Sequence, residues 1–362
     1  MTGIEVELAT VGPDFAVVHA TSAPDLVLQT TVGPVVVETT GPHHVVRVDG
    51  LEPNTEYSLS VDGVEDPYAP SLFRTLREPG GALLARVVTV NDVHFGEVVC
   101  GLWDADPTMG PVFRSEPGDP PYPEVMNAAA IDAVASVAPD AVVVKGDLTT
   151  SSADVDVERF HEVWGGAFGD RLVYVRGNHD ATLPGGVQAH TVSGVTLALL
   201  DTTIPGKPFG QFPPDQLAWL GAVARQASGP VFVFGHHPPY SEDFDAGRAE
   251  PFCSTEDDAR ALYATLDAHD AIAGYFCGHT HRNRVRHTPG RSVPIVEVAS
   301  VKEYPGVWAE YRVYERGYQQ IVQRVTERSA LDWAAKTRHM FHGIYRDYSL
   351  GQLDDRCFTR VF

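Results

Sequence analysis

Five short stretches of the 362-residue chain carry side chains suited to one chemistry. They are Asp92-Val93-His94, Gly146-Asp147, Gly177-Asn178-His179-Asp180, Gly235-His236-His237-Pro238 and Gly278-His279-Thr280-His281. Each follows a run of apolar, mostly β-branched residues, where a strand gives way to a loop. Asp92 and His94 stand two apart, so on an extended strand end both project to one side and can reach one cation. Asp147 has two oxygens with which to bridge two cations, and Asn178 offers a neutral carbonyl oxygen. His279 and His281, again two apart, can each face a different ion. Hard to borderline divalent ions take ligands of this kind, and a pair of them sharing one ligand cleaves phosphate esters.

The elements that must position these loops follow from the apolar pattern. Strands are expected over Arg86–Val90, Ala141–Lys145, Leu172–Val175, Thr196–Leu200, Val231–Phe234 and Ile272–Phe276. Helices are expected between them over Glu124–Val137, Val155–Phe168, Asp215–Gln226 and Thr255–Ala268. This alternation predicts α/β layers. Before it, residues 1–78 read as all-β, with seven short runs between Gly33-Pro34, Gly41-Pro42 and Asp62-Gly63 turns, as in a small β-sandwich. His43-His44 reads there as a solvated turn. The expected division is a sandwich over 1–78, a catalytic domain over 84–325 and a helical extension over 326–362, with a helix at Leu331–Phe341. Residues 96–122 break the rhythm, with five prolines and with Trp103, Phe113 and Tyr122 interspersed. A loop that long is expected to form a rim or lid beside His94 and to govern substrate choice.

Composition removes several partners. The net charge of −21, from 48 acidic and 27 basic residues, repels polyanions, so nucleic acid and anionic membranes are not expected. Bound metals reverse the sign locally, so small phosphates still fit. The four cysteines show no paired spacing, and the N-terminus carries no basic start followed by an apolar run, so a cytoplasmic location is expected. No apolar stretch approaches the ~18 residues that span a bilayer. Composition leaves the oligomeric state open, a homo-oligomer included.

Taken in order, D-x-H, G-D, G-N-H-D, H-x-P and G-H-x-H resemble the calcineurin-like metallophosphoesterases over roughly residues 84–300. The resemblance implies a four-layer αββα sandwich with two divalent ions, Mn, Fe or Zn, at the strand ends. Asp92, His94 and His281 would hold the first ion, and Asn178, His236 and His279 the second, with Asp147 bridging. The first histidine of H-x-P is the family's ligand, which selects His236 over His237. His179 would contact the phosphate and assist the leaving group, and Asp180 would orient His179. A water between the ions, its pKa drawn from ~15.7 towards ~7, would be the nucleophile. Arg282 and Asn283 follow the last motif, at the substrate or on the surface.

The run from Leu200-Asp201-Thr202-Thr203 to Gln216-Leu217-Ala218-Trp219-Leu220 is similar to class III cyclic nucleotide phosphodiesterases and their glycerophosphodiesterase relatives. The expected activity is hydrolysis of such diesters, with a sugar or nucleotide phosphomonoester as the alternative substrate. Leu51-Glu52-Pro53-Asn54-Thr55-Glu56-Tyr57 with Phe73-Arg74-Thr75 resembles the tyrosine corner and last strand of a fibronectin type III domain. A sandwich ahead of such a domain is also found in purple acid phosphatases. Those carry a tyrosine where this chain has Thr150 and a glycine where it has His94, so no ferric site is expected.

Overall fold

The computed structural model describes residues 3–102, 107–247 and 250–362. Trp103, expected in the loop beside the site, lies outside the described residues. The N-terminal strands form two facing antiparallel sheets. One contains Glu5–Val11, Phe15–Thr21 and His43–Asp49; the other orders Val35–Thr40, Val27–Val32, Glu56–Val61 and Leu72–Arg74. Alternation puts Val6, Leu8, Val18, Leu28, Val46 and Leu59 between the sheets. The Tyr57 hydroxyl accepts from the Glu52 N–H at 2.9 Å, which ties the turn between His43–Asp49 and Glu56–Val61 to the sheet. His43 and His44 are strand residues here. His44 is buried between Ser22 and Thr39, and His43 sits 2.7 Å from Asp332, so neither occupies a solvated turn.

Two six-stranded sheets follow. The first orders Leu172–Val175, Ala141–Lys145, Leu83–Val90, Val307–Tyr314, Gly317–Arg324 and Cys357–Val361. The second orders Gln188–Val192, Val195–Leu199, Val231–Phe234, Ile272–Cys277, Pro294–Glu297 and Arg284–His287. Their facing surfaces bury Val87, Val143, Leu197, Phe232, Phe276 and Tyr311 in one core. Each such side chain contributes roughly 1.5–3 kcal/mol by burial. The helix Tyr122–Ser136 packs on the outer face of the first sheet through Met126 and Val134. Pro214–Gln226 and Glu256–Asp267 cover the second through Leu220, Leu262 and Leu266. The result is the expected α/β/β/α order. Central strands such as Ala141–Lys145 and Val231–Phe234 are buried on both faces, which is why they read as unbroken apolar runs.

Two segments depart from expectation. The helix expected over Val155–Phe168 runs from Asp154 to Phe160 and then widens into a π-helical turn at His161–Gly165. The last 37 positions are not simply helical. After the helix Arg328–Thr337 the backbone turns through left-handed Phe341 (φ 51°) and His342 (φ 57°). It then forms the helix Tyr345–Leu350 and ends as the strand Cys357–Val361, paired with Gly317–Arg324. Tyr122, expected in the loop, begins a helix and stacks on Trp333 at 4.2 Å.

Candidate metal centre

All five motifs lie where strands of the two sheets end on one side of the molecule. Several of their residues take left-handed backbone conformations that only glycine adopts without strain: Asp92 (φ 55°), His94 (φ 46°), Asp147 (φ 51°), His279 (φ 70°) and His281 (φ 53°). Such a conformation costs roughly 1–3 kcal/mol per residue and persists only where the surroundings enforce it. The enforcement is visible. The N–H groups of Val93 and His94 both donate to the Asp147 carbonyl at 3.0 Å. His279 N–H donates to Asp92 Oδ2 at 3.1 Å, and His179 N–H donates to Asp147 Oδ1 at 3.0 Å. Gly177 must be glycine for a separate reason, since a Cβ there would lie 2.1 Å from Asp147 Oδ1.

The side chains converge. His281 Nε2 is 3.1 Å from Asp92 Oδ1, and the ring of His94 lies 5.7 Å from that of His281. Asp147 Oδ2 stands 3.5 Å from His94 Nε2 on one side and 3.3 Å from His236 Nε2 on the other. His236 Nε2 also lies 3.1 Å from Asn178 Oδ1, and its ring is 5.0 Å from that of His279. Ligand atoms of Asp92, His94 and His281 fall within 4.8 Å of one another, as do those of Asp92, Asp147 and His236. His236, His237 and His279 form another such set. Asp147 is the residue between the groups.

Electrostatics fit cation binding. Neither ring nitrogen of buried His94 makes a hydrogen bond, and neither does Asp92 Oδ1. Buried polar atoms are nearly always hydrogen-bonded, so these exceptions, on residues whose ligand atoms lie within 4.8 Å of one another, suit the donor set of a cation. Burial works against ionised Asp92, but His281 outweighs it and holds the carboxyl well below the usual range. Asp147 is held low against its burial in the same way, by His236 and His179. Burial opposes protonation of His236 and His281, yet the facing carboxylates raise them to about 9 and about 10. His279, buried and beside His236, is pushed down to about 3. Cations and protons compete for these nitrogens.

His179 is exposed at the rim, 4.9 Å ring to ring from His94. Its Nδ1 lies 2.8 Å from the Thr150 carbonyl. The expected Asp180–His179 pairing is not made. The Asp180 carboxylate turns inward and accepts from the N–H groups of Leu148, Thr149 and Gly177 at 2.8, 2.9 and 3.0 Å. Burial and the charge of Asp147 push it up to about 6. It braces two site loops, and the Thr150 carbonyl orients the imidazole. Arg282 and Asn283 are buried rather than on the surface or at the substrate. Arg282 Nε donates to Glu297 at 2.8 Å, and Asn283 Nδ2 donates to the carbonyls of Ser349 and Leu350. Gln216 opens its helix as expected. Its side chain also clamps the backbone N–H and carbonyl of Asp201 at 3.0 and 2.9 Å.

A cavity of about 730 Å³ opens above the cluster. Val98, Gly101 and Leu102 form part of its wall, and Phe252, Phe341, Tyr345 and Tyr348 form much of the rest. Several supporting residues escaped the sequence reading. Glu303 Oε1 lies 2.7 Å from His281 Nδ1, and Tyr345 donates to the same carboxylate. His236 Nδ1 is 2.8 Å from the Lys145 carbonyl, and His279 Nε2 is 2.9 Å from the Phe252 carbonyl. The only trace of Glu303 in the sequence is a charged pair, Lys302-Glu303, after a largely apolar stretch, 293–301, that Glu297 and Ser300 interrupt.

Residues 85–283, more than half of the chain, match the calcineurin-like phosphoesterase family. The chain belongs to that family. Membership implies phosphate-ester hydrolysis with divalent metal ions, which the Asp and His clusters suit. It is 27% identical over 124 residues to a cAMP/cGMP dual specificity phosphodiesterase of Mycobacterium tuberculosis, covering 30% of this chain and 39% of that one. A probable cyclic nucleotide phosphodiesterase of Synechococcus is 28% identical over 111 residues, covering 28% and 43%. The chain thus spans less than half the length of these curated relatives. A dimetal phosphatase from Danio rerio shares the fold at a TM-score of 0.53 and 14% identity, covering 68% of this chain and 98% of that one. Among the described residues no helix is long and apolar enough to cross a membrane.

Proposed function

We propose that this protein cleaves small phosphodiesters, of the cyclic nucleotide or glycerophosphodiester type. One observation carries the reading: ligand groups joined through Asp147 floor a cavity of about 730 Å³ walled by Leu102, Phe252, Phe341 and Tyr348. A diester bears two substituents, and an apolar wall beside the charged floor gives the second one a place to lie. The named activities of the two curated relatives support the same choice.

In this reading Asp92, His94 and His281 would hold one ion, Asn178, His236 and His279 would hold the other, and Asp147 would serve both. When bound, such a pair supplies Lewis acidity to the phosphate and acidifies a water. Nitrogen and oxygen donors without thiolate suit Mn, Fe or Zn. His179 sits at the rim with Nδ1 committed to the Thr150 carbonyl, so the proton it gives or takes is the one on Nε2. From there it serves the leaving oxygen. Asp180 keeps the loops of Asp147 and Asn178 in register through its three backbone hydrogen bonds. The four cysteines are buried and unpaired, which supports a reducing, cytoplasmic location.

The test is a turnover panel of cyclic nucleotides, glycerophosphodiesters and monoesters, run with metal analysis of the purified enzyme. Diesters should give the higher kcat/KM. A higher value for sugar or nucleotide monoesters would replace the diester reading with the monoesterase one.

A further inference from the structure

The β-sandwich could be a tethered module, but its contacts with the rest of the chain are of another kind. Glu7, on its first strand, is 2% exposed and accepts from Tyr304 Oη at 2.8 Å and Arg346 Nε at 2.9 Å. Asp66 takes Arg346 Nη2 at 3.0 and 2.9 Å, and the guanidinium lies 4.9 Å from the centre of the Tyr68 ring. Tyr68 donates to Asp347 at 3.0 Å. Arg356 donates to the carbonyls of Leu8 and Ala9 at 2.7 and 3.2 Å. Buried charges hold only when fully paired, so this seam tolerates little slippage.

The helix gripped in this way is Tyr345–Leu350, and its other face meets the site. Tyr345 and Tyr348, three apart, share that face. Tyr345 donates to Glu303, whose Oε1 is 2.7 Å from His281 Nδ1 and whose Oε2 accepts from Cys100 Sγ at 2.8 Å. Tyr348 donates at 2.6 Å to the carbonyl of Thr280, the residue between His279 and His281. One turn of helix therefore links sandwich carboxylates to the loop that carries both histidines. The supporting residues Glu7, Asp66, Glu303, Tyr345, Arg346 and Tyr348 lie outside residues 85–283, the stretch that matches the family, while Thr280 and His281, which they reach, lie inside it.

We propose that the β-sandwich is a structural part of the catalytic centre: through Arg346 it seats the helix whose Tyr345 and Tyr348 position the His279–His281 loop. Tyr345, Tyr348 and Arg346 are positioning residues. The proposal rests on the reading of His279 and His281 as metal ligands. A carboxylate on the far nitrogen of a ligand histidine sets its tautomer and basicity, and whatever seats that carboxylate tunes the metal.

The experiment is calorimetric titration of the metal-free full chain with Mn²⁺, alongside thermal unfolding. Tyr345→Phe should weaken binding roughly tenfold, the low end for lost support of a ligand. Arg346→Met should weaken it in the same direction by less, and the double variant should fall short of the product of the two losses. Wild-type affinity in Arg346→Met, or losses that simply multiply, would overturn the proposal. If Arg346→Met does not fold, Asp66→Asn changes only the sandwich side of the link; it too must weaken Mn²⁺ binding, and unchanged affinity again overturns the proposal. Failure of every phosphate ester in the turnover panel would remove the functional reading without touching these titrations.

Discussion

The two halves of the centre are supported by different materials. On the His281 side the support is a side chain, Glu303, itself held by Tyr345 and Cys100. On the His236–His279 side it is main chain, the carbonyls of Lys145 and Phe252. Lys145 ends a strand and Phe252 lies in the loop before the helix Glu256–Asp267, and neither carbonyl can be lost by substitution. A carboxylate from another segment can be lost; against burial, Asp92 first and then Glu303 raise His281 to about 10, while burial and the neighbouring His236 push His279 down to about 3. One half is thus supported by main-chain carbonyls, and the other by the Glu303 carboxylate that Tyr345 and Cys100 hold.

The largest effect should come from the residue the two halves share. Asp147→Ala removes the carboxylate whose Oδ2 faces both His94 and His236, so turnover should nearly vanish and bound metal should drop. Wild-type turnover in that variant at saturating metal would dissolve the shared-ligand reading. His179→Ala should separate chemistry from binding. It should keep its metal, measured by elemental analysis, and lose about 10²–10³ in kcat, as for other lost electrostatic donors. Loss of metal would instead make His179 a ligand.

What was legible in the chain divides the ligands from their supports. The strands read as apolar runs because they are buried on both faces, and the motifs stand out because few residue types can hold a cation at fixed spacing. The candidate ligand positions therefore follow from the pattern, whereas the carbonyls that support His236 and His279 do not. Glu303 and Tyr345 did not stand out, since a glutamate 22 positions from His281 and a tyrosine 42 positions from that glutamate meet only through the tertiary path. Asp180 was misread for a related reason. Adjacency to His179 suggested a side-chain pair, but the three-residue turn sends the carboxylate inward to backbone donors of the Asp147 loop. His44 and Arg282 were read as solvated or as flanking the substrate because their burial partners, Ser22 and Glu297, are likewise distant.

The contrast can be tested directly by a pair of variants. Glu303→Gln keeps the shape and removes the charge, and it should weaken Mn²⁺ binding about 10- to 100-fold. Phe252→Ala leaves its carbonyl in place beside His279 Nε2, so metal affinity should change far less, with the effect read in KM through the lost cavity wall. Equal losses of metal affinity would mean that the main-chain half is no sturdier than the other.

The smallest effect, and the most remote, is a pH dependence of the seam that seats the His281 side. His19 is buried in the sandwich. Its burial comes first, then the nearby Arg324, with His43 adding to them and Glu7 opposing, and together they lower it from 6.5 to about 3. Burial opposes ionisation of Glu7, but Arg324, Arg346 and Arg338 override it and lower the carboxyl from 4.5 to about 2. Both folded-state values are depressed, so both groups bind more protons when unfolded. Their contribution is whole above pH 6.5 for His19 and above 4.5 for Glu7, and it is lost as pH falls towards 3 and 2. Each group changes stability by at most about 1.4 kcal/mol per pH unit within its window. Between pH 6.5 and 4.5 His19 is inside its window and Glu7 is not, while the windows of His279 and Asp180 overlap that range, so the test is the difference: stability to urea should fall less across it in His19→Gln than in wild type. Comparing the two proteins in one buffer cancels the metal's own pH dependence. An unchanged slope in His19→Gln would mean that the seam carries no acid-sensitive load, and the His281 side would then owe nothing to the protonation state of the sandwich.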